Sequence, residues 1–266
     1  MSGFFVSDLS LHQEIIGHID RRHPLITELA FTDVGFGVPI VPARFKKWAG
    51  APWVRWAGPR YDTPTDLQSW MLPIAGVAGM LTPSYRWDQI IADTNLAKVI
   101  LSRGFDFYIS QEVGIDALGD HPRLRQAWEA FLVELCRRLY AIRPDVEVLW
   151  SPYAWDLWST VSPPRRNMIQ AAVGHLLSNV RKYSQTPGIT YVDLQDGRGA
   201  QPSEPETDAV NWYKLISSNS LAKYRINMEY FTPHFTAQPP EEMERREKFY
   251  KSNDVPIGCC WELRYW

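Results

Sequence analysis

Acidic residues recur in this chain where short β-rich runs give way to loops: Asp8, Asp33, Glu112, Asp156, Asp196, Glu229 and Glu262. The plainest case is Tyr191-Val-Asp-Leu-Gln-Asp-Gly-Arg-Gly199, a run that stops at Gln195-Asp196 and then passes through glycine twice. Asp196-Gly197 is also ordinary turn chemistry, so the stretch gains meaning only because similar strand ends recur. Two carboxyl groups in unlike surroundings can divide a reaction between them. One, kept protonated by burial or by a neighbouring anion, gives a proton; the other, ionised, stabilises positive charge or activates water. Glycosidic cleavage uses this division, and the separation of the pair sets its stereochemistry, about 5 Å for retention and about 6.5–9.5 Å for inversion. Glu112 is assigned as general acid and Glu229 as nucleophile or base, because glutamate is a poor helix cap and an awkward strand residue. Asp8 and Asp33 equally suit helix caps or turns, and Glu262 with Arg264 equally suits a rim ion pair.

Alternation along a strand says which side chains share a face. Tyr108, Ser110 and Glu112 form one set, and Asp193 and Gln195 another. Arg225, Asn227 and Glu229 form a third, and Cys260, Glu262 and Arg264 a fourth. Asp196 joins the catalytic residues at the start of its loop. Gln195, Asn227, Asp156, Glu262, Arg264, Asp8 and Asp33 are candidate polar contacts to substrate. Tyr153 and Trp155 offer flat faces of the kind that suit sugar rings. The same acids and aromatics would serve a cyclase or isomerase steering a carbocation, or a carbohydrate-binding barrel without catalysis. No cysteine or histidine spacing matches a zinc site, there is no GxSxG elbow, and no metal or cofactor is assigned, although acid clusters also suit hard cations.

These strand ends meet only if the chain between them alternates strands with helices. Strands are expected at residues 3–8, 25–33, 105–112, 146–153, 189–194, 223–231 and 255–263, with one more hidden near 53–57 or 71–75. Helical spacing of apolar residues marks 10–19 and 87–101. Asp120 with Pro122 starts a helix whose core face is Leu124, Trp128, Phe131, Leu132, Leu135 and Leu139. Ser162-Pro163 starts another, with Met168, Ala172, Leu176 and Val180 in register, and further helices fall at 207–216 and 241–250. The rhythm is that of an α/β (β/α)8 TIM-like barrel forming a single domain over residues 1–266. An irregular Pro/Trp-rich excursion at 38–84 interrupts it. An open doubly wound sheet is the rival, but the chain has no GxGxxG phosphate loop.

The bulk numbers agree with such a domain. The chain has 266 residues, 45% of them hydrophobic, with net charge −2, 3 Cys, 12 Trp and 12 Tyr. Near-neutral charge argues against nucleic acid or an anionic membrane as partner, leaving a small-molecule or oligosaccharide substrate. An odd, sparse cysteine set is no disulfide framework. Neither a secretory signal nor a membrane-length apolar run is apparent, so a cytoplasmic location is expected.

Several strand ends resemble one family. Val192-Asp-Leu-Gln-Asp-Gly-Arg-Gly199 is similar to the QDGxG strand end of a barrel family related to glycoside hydrolases, domain of unknown function 4434. Arg225-Ile-Asn-Met-Glu-Tyr-Phe231 resembles its NxExF strand, Phe107-Tyr-Ile-Ser-Gln-Glu112 its WYIPxE strand, and Leu149-Trp-Ser-Pro-Tyr153 its ISPF strand. The motifs occur in the family's order and span about residues 87–266, with a further match at Gly3-Phe-Phe. The resemblance implies a TIM barrel whose site is lined by Glu112, Gln195, Asp196, Asn227 and Glu229. Ser110 departs from the family's proline, and the Pro/Trp-rich excursion departs from its regular third unit.

Overall fold

The computed structural model describes residues 2–6, 26–31, 54–57, 106–109, 113–154, 156–199, 205–234 and 236–260. Eight short strands form one sheet. They are β1 (Ser2–Val6), β2 (Ile26–Phe31), β3 (Val54–Ala57), β4 (Asp106–Ile109), β5 (Val148–Trp150), β6 (Tyr191–Gln195), β7 (Lys223–Asn227) and β8 (Cys259–Cys260). Their order is β7-β6-β5-β4-β3-β2-β1-β8, and each neighbouring pair is parallel. A parallel bridge, Ile226 to Ile257, ties β7 to the residues leading into β8. Ile226 N–H donates to Pro256 O, and Gly258 N–H donates to Ile226 O, each at 2.8 Å. The strands at the two ends of the order are therefore also joined by hydrogen bonds.

The described helices are α1 (Ile115–Asp120), α2 (Pro122–Ile142), α3 (Pro163–Ser184), α4 (Glu206–Ser217) and α5 (Pro240–Ser252). The strands alternate as their sequences demand. Val148, Trp150, Val192, Leu194, Tyr224 and Ile226 are buried in the core shared with the helices. The intervening residues, Asp193 and Gln195 on β6 and Arg225 and Asn227 on β7, share the other face. The predicted core face of α2 is buried throughout. On α3 the buried stripe is Ile169, Ala172, Val173, Leu176, Leu177 and Val180, and Met168, expected in that stripe, is 44% exposed. A stripe centred on the 169/173/176/180 line puts residue 168 at its edge.

β3 takes the first of the two segments the sequence offered. Residues 71–75, the remainder of the 38–84 excursion and the helices expected at 10–19 and 87–101 lie outside the described residues. The sequence pattern predicts no helix at α1 and makes Asp120 the cap of α2. Instead Asp120 closes α1, His121 is the α2 N-cap, and the Asp120 carboxylate pairs with Arg165. β7 is shorter than the expected 223–231. Its last partner on β6 is Gln195, opposite Asn227, beyond which β6 turns away. Residues past Asn227 find other partners: Gln238 N–H donates to Tyr230 O, and Phe231 bridges Ala237 antiparallel.

Candidate functional site

On β6 and β7 the face opposite the helices is polar in layers. At the first, Asp193 lies opposite Arg225, and Arg225 clasps it with Nε to Oδ1 at 2.7 Å and Nη2 to Oδ2 at 2.9 Å. The Arg225 guanidinium also stacks over the Tyr191 ring, 4.2 Å from its centroid. Gly258 packs directly on this pair, and no side chain would fit there. At the next layer Gln195 lies opposite Asn227. Ser151 is the hub: its hydroxyl donates to Asp193 O (2.7 Å) and accepts from Asn227 Nδ2 (3.0 Å), and its carbonyl accepts from Gln195 Nε2 (3.0 Å). That chain of donors fixes the Asn227 amide. Because Ser151 spends its proton on a carbonyl, Asn227 must present its nitrogen to it, and Oδ1 is then a buried acceptor with no partner among the described residues.

The strand ends carry the acids. After Gln195 the chain turns through Asp196, Gly197 (φ 68°) and Arg198 to Gly199. The left-handed conformation at 197 asks for glycine. Asp196 Oδ1 folds back on Arg198 N–H at 3.2 Å, an Asx turn, and also accepts Glu229 N–H at 3.1 Å. Its other oxygen takes Tyr250 OH at 3.0 Å and the guanidinium of Arg246. Asp196 and Arg246 side chains have no exposure. Gly199 N–H then donates to Glu229 Oε2 at 2.7 Å. The Phe231 ring lies where a Cβ at 199 would stand, 2.7–2.8 Å away, so only glycine lets that N–H come so close. Glu229 is 6% exposed.

Arg246 binds both strand ends from α5. Its Nη1 donates to Glu229 O and to Gln238 Oε1, each at 2.7 Å, while Nη2 reaches Asp196. Gln238 Nε2 in turn donates to Phe231 O at 2.7 Å. Burial works against charge on Arg246, but the Asp196 carboxylate, Tyr250 and Glu229 together outweigh it and hold the guanidinium above its ordinary pKa. Burial, and then the adjacent Asp196 charge, pushes the Tyr250 phenol well up.

The structure thus brings together Gln195, Asp196, Asn227 and Glu229 of the residues assigned from the sequence. Asp196, assigned to catalysis, sits as a buried anchor whose oxygens receive four protein donors. Tyr153 is half-buried just past β5, its carbonyl accepting Ile115 N–H at 2.8 Å. Asp156 is committed elsewhere: its carboxylate pairs with Arg165 at 2.6 Å beside Asp120, and its backbone N–H donates to Asp116 Oδ2. Asp8, Asp33, Glu112, Trp155, Glu262 and Arg264 lie outside the described residues. Sequence reasoning missed Ser151, Gln238, Arg246 and Tyr250. One signal was available: Met243, Arg246 and Tyr250 recur at helical spacing on the buried side of α5, and an arginine in an apolar stripe requires an anion across from it.

Among the described residues no group of three or more His, Cys, Asp or Glu is arranged to hold a metal. Among them, too, no helix is long and apolar enough to cross a membrane. No protein-family model matches the chain, so the resemblance to domain of unknown function 4434 rests on its short motifs, and no curated protein matches it. A solved structure is similar in fold. It is a protein of Bacteroides thetaiotaomicron described as a "putative alpha-L-fucosidase". The likeness has a TM-score of 0.62 at 12% identity, over 98% of this chain and 85% of that one.

Proposed function

We propose that this chain is a carboxylate-dependent, glycoside-hydrolase-like enzyme on a single-domain (β/α)8 barrel, with Glu229 as its ionised carboxylate. The barrel is supported by an eight-stranded parallel sheet in sequential order with β8 beside β1, and by the bridge from Ile226 to Ile257. In such a barrel, residues at the carboxyl ends of strands form the site. Glu229 carries the reading. It lies two residues past the end of β7, nearly buried, with one carboxylate oxygen fixed by a backbone N–H. A hydrogen bond given to the charged form favours that form, and a fixed anion suits stabilisation of, or attack on, an oxocarbenium-like centre. Glu112, which follows β4 in the sequence, is the proposed proton donor. Gln195 and Asn227 are proposed contacts to substrate hydroxyls, and Asp196 is proposed as the holder of Glu229 rather than a reacting group.

The neighbour described as a fucosidase makes α-L-fucoside the first substrate to try, within a panel of nitrophenyl glycosides of differing sugar and anomer. The wild-type chain is expected to release nitrophenol from at least one. Glu229→Gln should lose roughly 10²–10⁴-fold in kcat on that substrate while keeping native circular dichroism. A folded Glu229→Gln variant with wild-type turnover would remove Glu229 from the mechanism. Failure of wild type on the whole panel would count against the hydrolase.

A further inference from the structure

Each hydrogen bond described above for Glu229 leads back to Arg246. Its carbonyl accepts directly from Arg246 Nη1. Its N–H is held by Asp196, the ion-pair partner of Arg246. Its carboxylate is held by Gly199, at the end of a turn whose first bond is Asp196 to Arg198 N–H. A guanidinium is a rigid fork, so one buried group braces the β6 turn against the backbone of Glu229, alongside the direct bonds from Glu229 N–H to Asp196 Oδ1 and from Asp196 N–H to Asn227 O. A buried guanidinium needs acceptors for several N–H groups as well as an anion. This one grips the peptide of the acid at the strand end and, through Gln238, that of Phe231, the residue packed on Gly199.

We propose that Arg246 is a positioning residue that fixes the place and the ionised state of the Glu229 carboxylate. The charged and titratable groups around Glu229 among the described residues include Asp196 on the β6 turn and Arg246 and Tyr250 on α5, with Arg198 of the same turn turned toward Glu206 at 3.7 Å. Arg246 is the cation of that set that touches the Glu229 backbone. Taking its charge away leaves Asp196 as an uncompensated anion beside Glu229, and a like charge disfavours ionisation. Freeing the Glu229 carbonyl also loosens the segment that carries the carboxylate. The consequence for turnover rests on Glu229 being the reacting group; the consequence for its titration does not.

The test uses Arg246→Met, which keeps the stem and removes charge and fork, and Arg246→Lys, which keeps charge but cannot span both acceptors. The Glu229 carboxyl carbon is followed by ¹³C NMR against pH, assigned by its absence in Glu229→Gln. In Arg246→Met its midpoint should rise by about one pH unit, with a smaller rise in Arg246→Lys. On the nitrophenyl glycoside that wild type cleaves, Arg246→Met should lose roughly a hundredfold in kcat with KM within about twofold, and Arg246→Lys should recover part of the loss. If Arg246→Met does not fold, the Arg246→Lys midpoint decides. A folded variant with the wild-type Glu229 midpoint overturns the proposal, whatever its stability. If no glycoside is cleaved, the midpoint alone decides, so the hydrolase reading and this one fail separately.

Discussion

A methyl group at position 258 would test the fold and its polar interior together. A Cβ there would lie 2.2 Å from Asp193 Oδ2, 2.6 Å from Asp193 Cγ and 2.7 Å from Arg225 Nε, where ordinary contact begins at 3.4 Å. The Asp193 carboxylate would have to retreat by about 1 Å, further than a close-packed interior yields without strain. It has no exposure and is held by both arms of Arg225. Overpacking alone costs about 1–3 kcal/mol, and opening a buried ion pair costs about 3–5 kcal/mol. Gly258→Ala should therefore lose about 3–5 kcal/mol. For a chain this long each kcal/mol is worth about 2–4 °C, so its Tm should fall by roughly 10 °C. Thermal and urea unfolding followed by circular dichroism would read this. The same substitution in an Asp193→Ala, Arg225→Leu background meets neither obstructing group and should cost less than about 1 kcal/mol, a non-additivity expected of residues in contact. Gly258 precedes β8 and Asp193 is on β6, so the two meet only if β8 closes against β7. An equal cost in both backgrounds, or a Tm within about 1 °C of wild type, would refute both the contact and the closed ring.

Other consequences are sharp enough to check. Gly199→Ala must push the Phe231 ring or the β6 turn aside. It should cost roughly a hundredfold in kcat, partly restored by adding Phe231→Ala; unchanged turnover would separate the turn from catalysis. Arg245 lies between Glu242 and Glu206. Its hydrogen bond lowers the Glu242 pKa, and at Glu206 burial pushes upward but the Arg245 bond, a backbone hydrogen bond and the Arg198 and Arg245 charges together outweigh it, so both sit below the ordinary 4.5. Stability from depressed carboxylates is present above their unfolded pKa and lost as pH falls through the folded one. Arg245→Ala should therefore be less stable than wild type at neutral pH, with the difference full above about pH 5 and shrinking as pH falls and the carboxylates are protonated; a difference that does not shrink on acidification, or none at neutral pH, would contradict this. Burial pushes the Cys136 and Cys260 thiols up to about 12. Neither should react with a thiol reagent at pH 8 until the chain unfolds, as mass spectrometry of the labelled peptides would show.

What the sequence made legible follows from local rules. The α2 stripe is a long helical repeat, and the repeat alone fixes its buried side. Alternation on β6 and β7 paired Asp193 with Gln195 and Arg225 with Asn227, and the register puts these two sets directly opposite one another. The meaning of Asp196-Gly197-Arg198-Gly199 was half legible: a turn was plain, but not that Phe231 would lie on Gly199 and reserve its N–H for Glu229. That contact joins residues from different strand ends, and no local pattern encodes it. Arg246 and Tyr250 were hidden for a related reason. In a helix that reads Pro-Glu-Glu-Met-Glu-Arg-Arg-Glu-Lys-Phe-Tyr-Lys-Ser, charge dominates composition, and the solvated reading of Arg246 prevails until the stripe through Met243 and Tyr250 is followed.

The two acids at the ends of β6 and β7 illustrate how an identical functional group acquires different work. A carboxylate offers about four acceptor sites. Asp196 gives two of them to backbone N–H groups and two to Arg246 and Tyr250, so it cannot accept a substrate hydroxyl without releasing a protein donor. Removing one partner from such a buried pair is far more costly than the pair's net contribution to stability, so the anchor depends on keeping all four of its donors. Glu229 differs in one respect that matters for chemistry: its backbone, not its carboxylate, receives the anchor. The peptide is gripped at N–H and C=O by Asp196 and Arg246, and the carboxylate is placed by a turn that the same anchor organises. On the proposed reading, the reacting group would be held through its backbone at both N–H and C=O, by Asp196 and Arg246. Preorganisation of this kind is where much of the barrier reduction in a charged transition state originates, and it assigns the spending of one acid on structure to the benefit of the other.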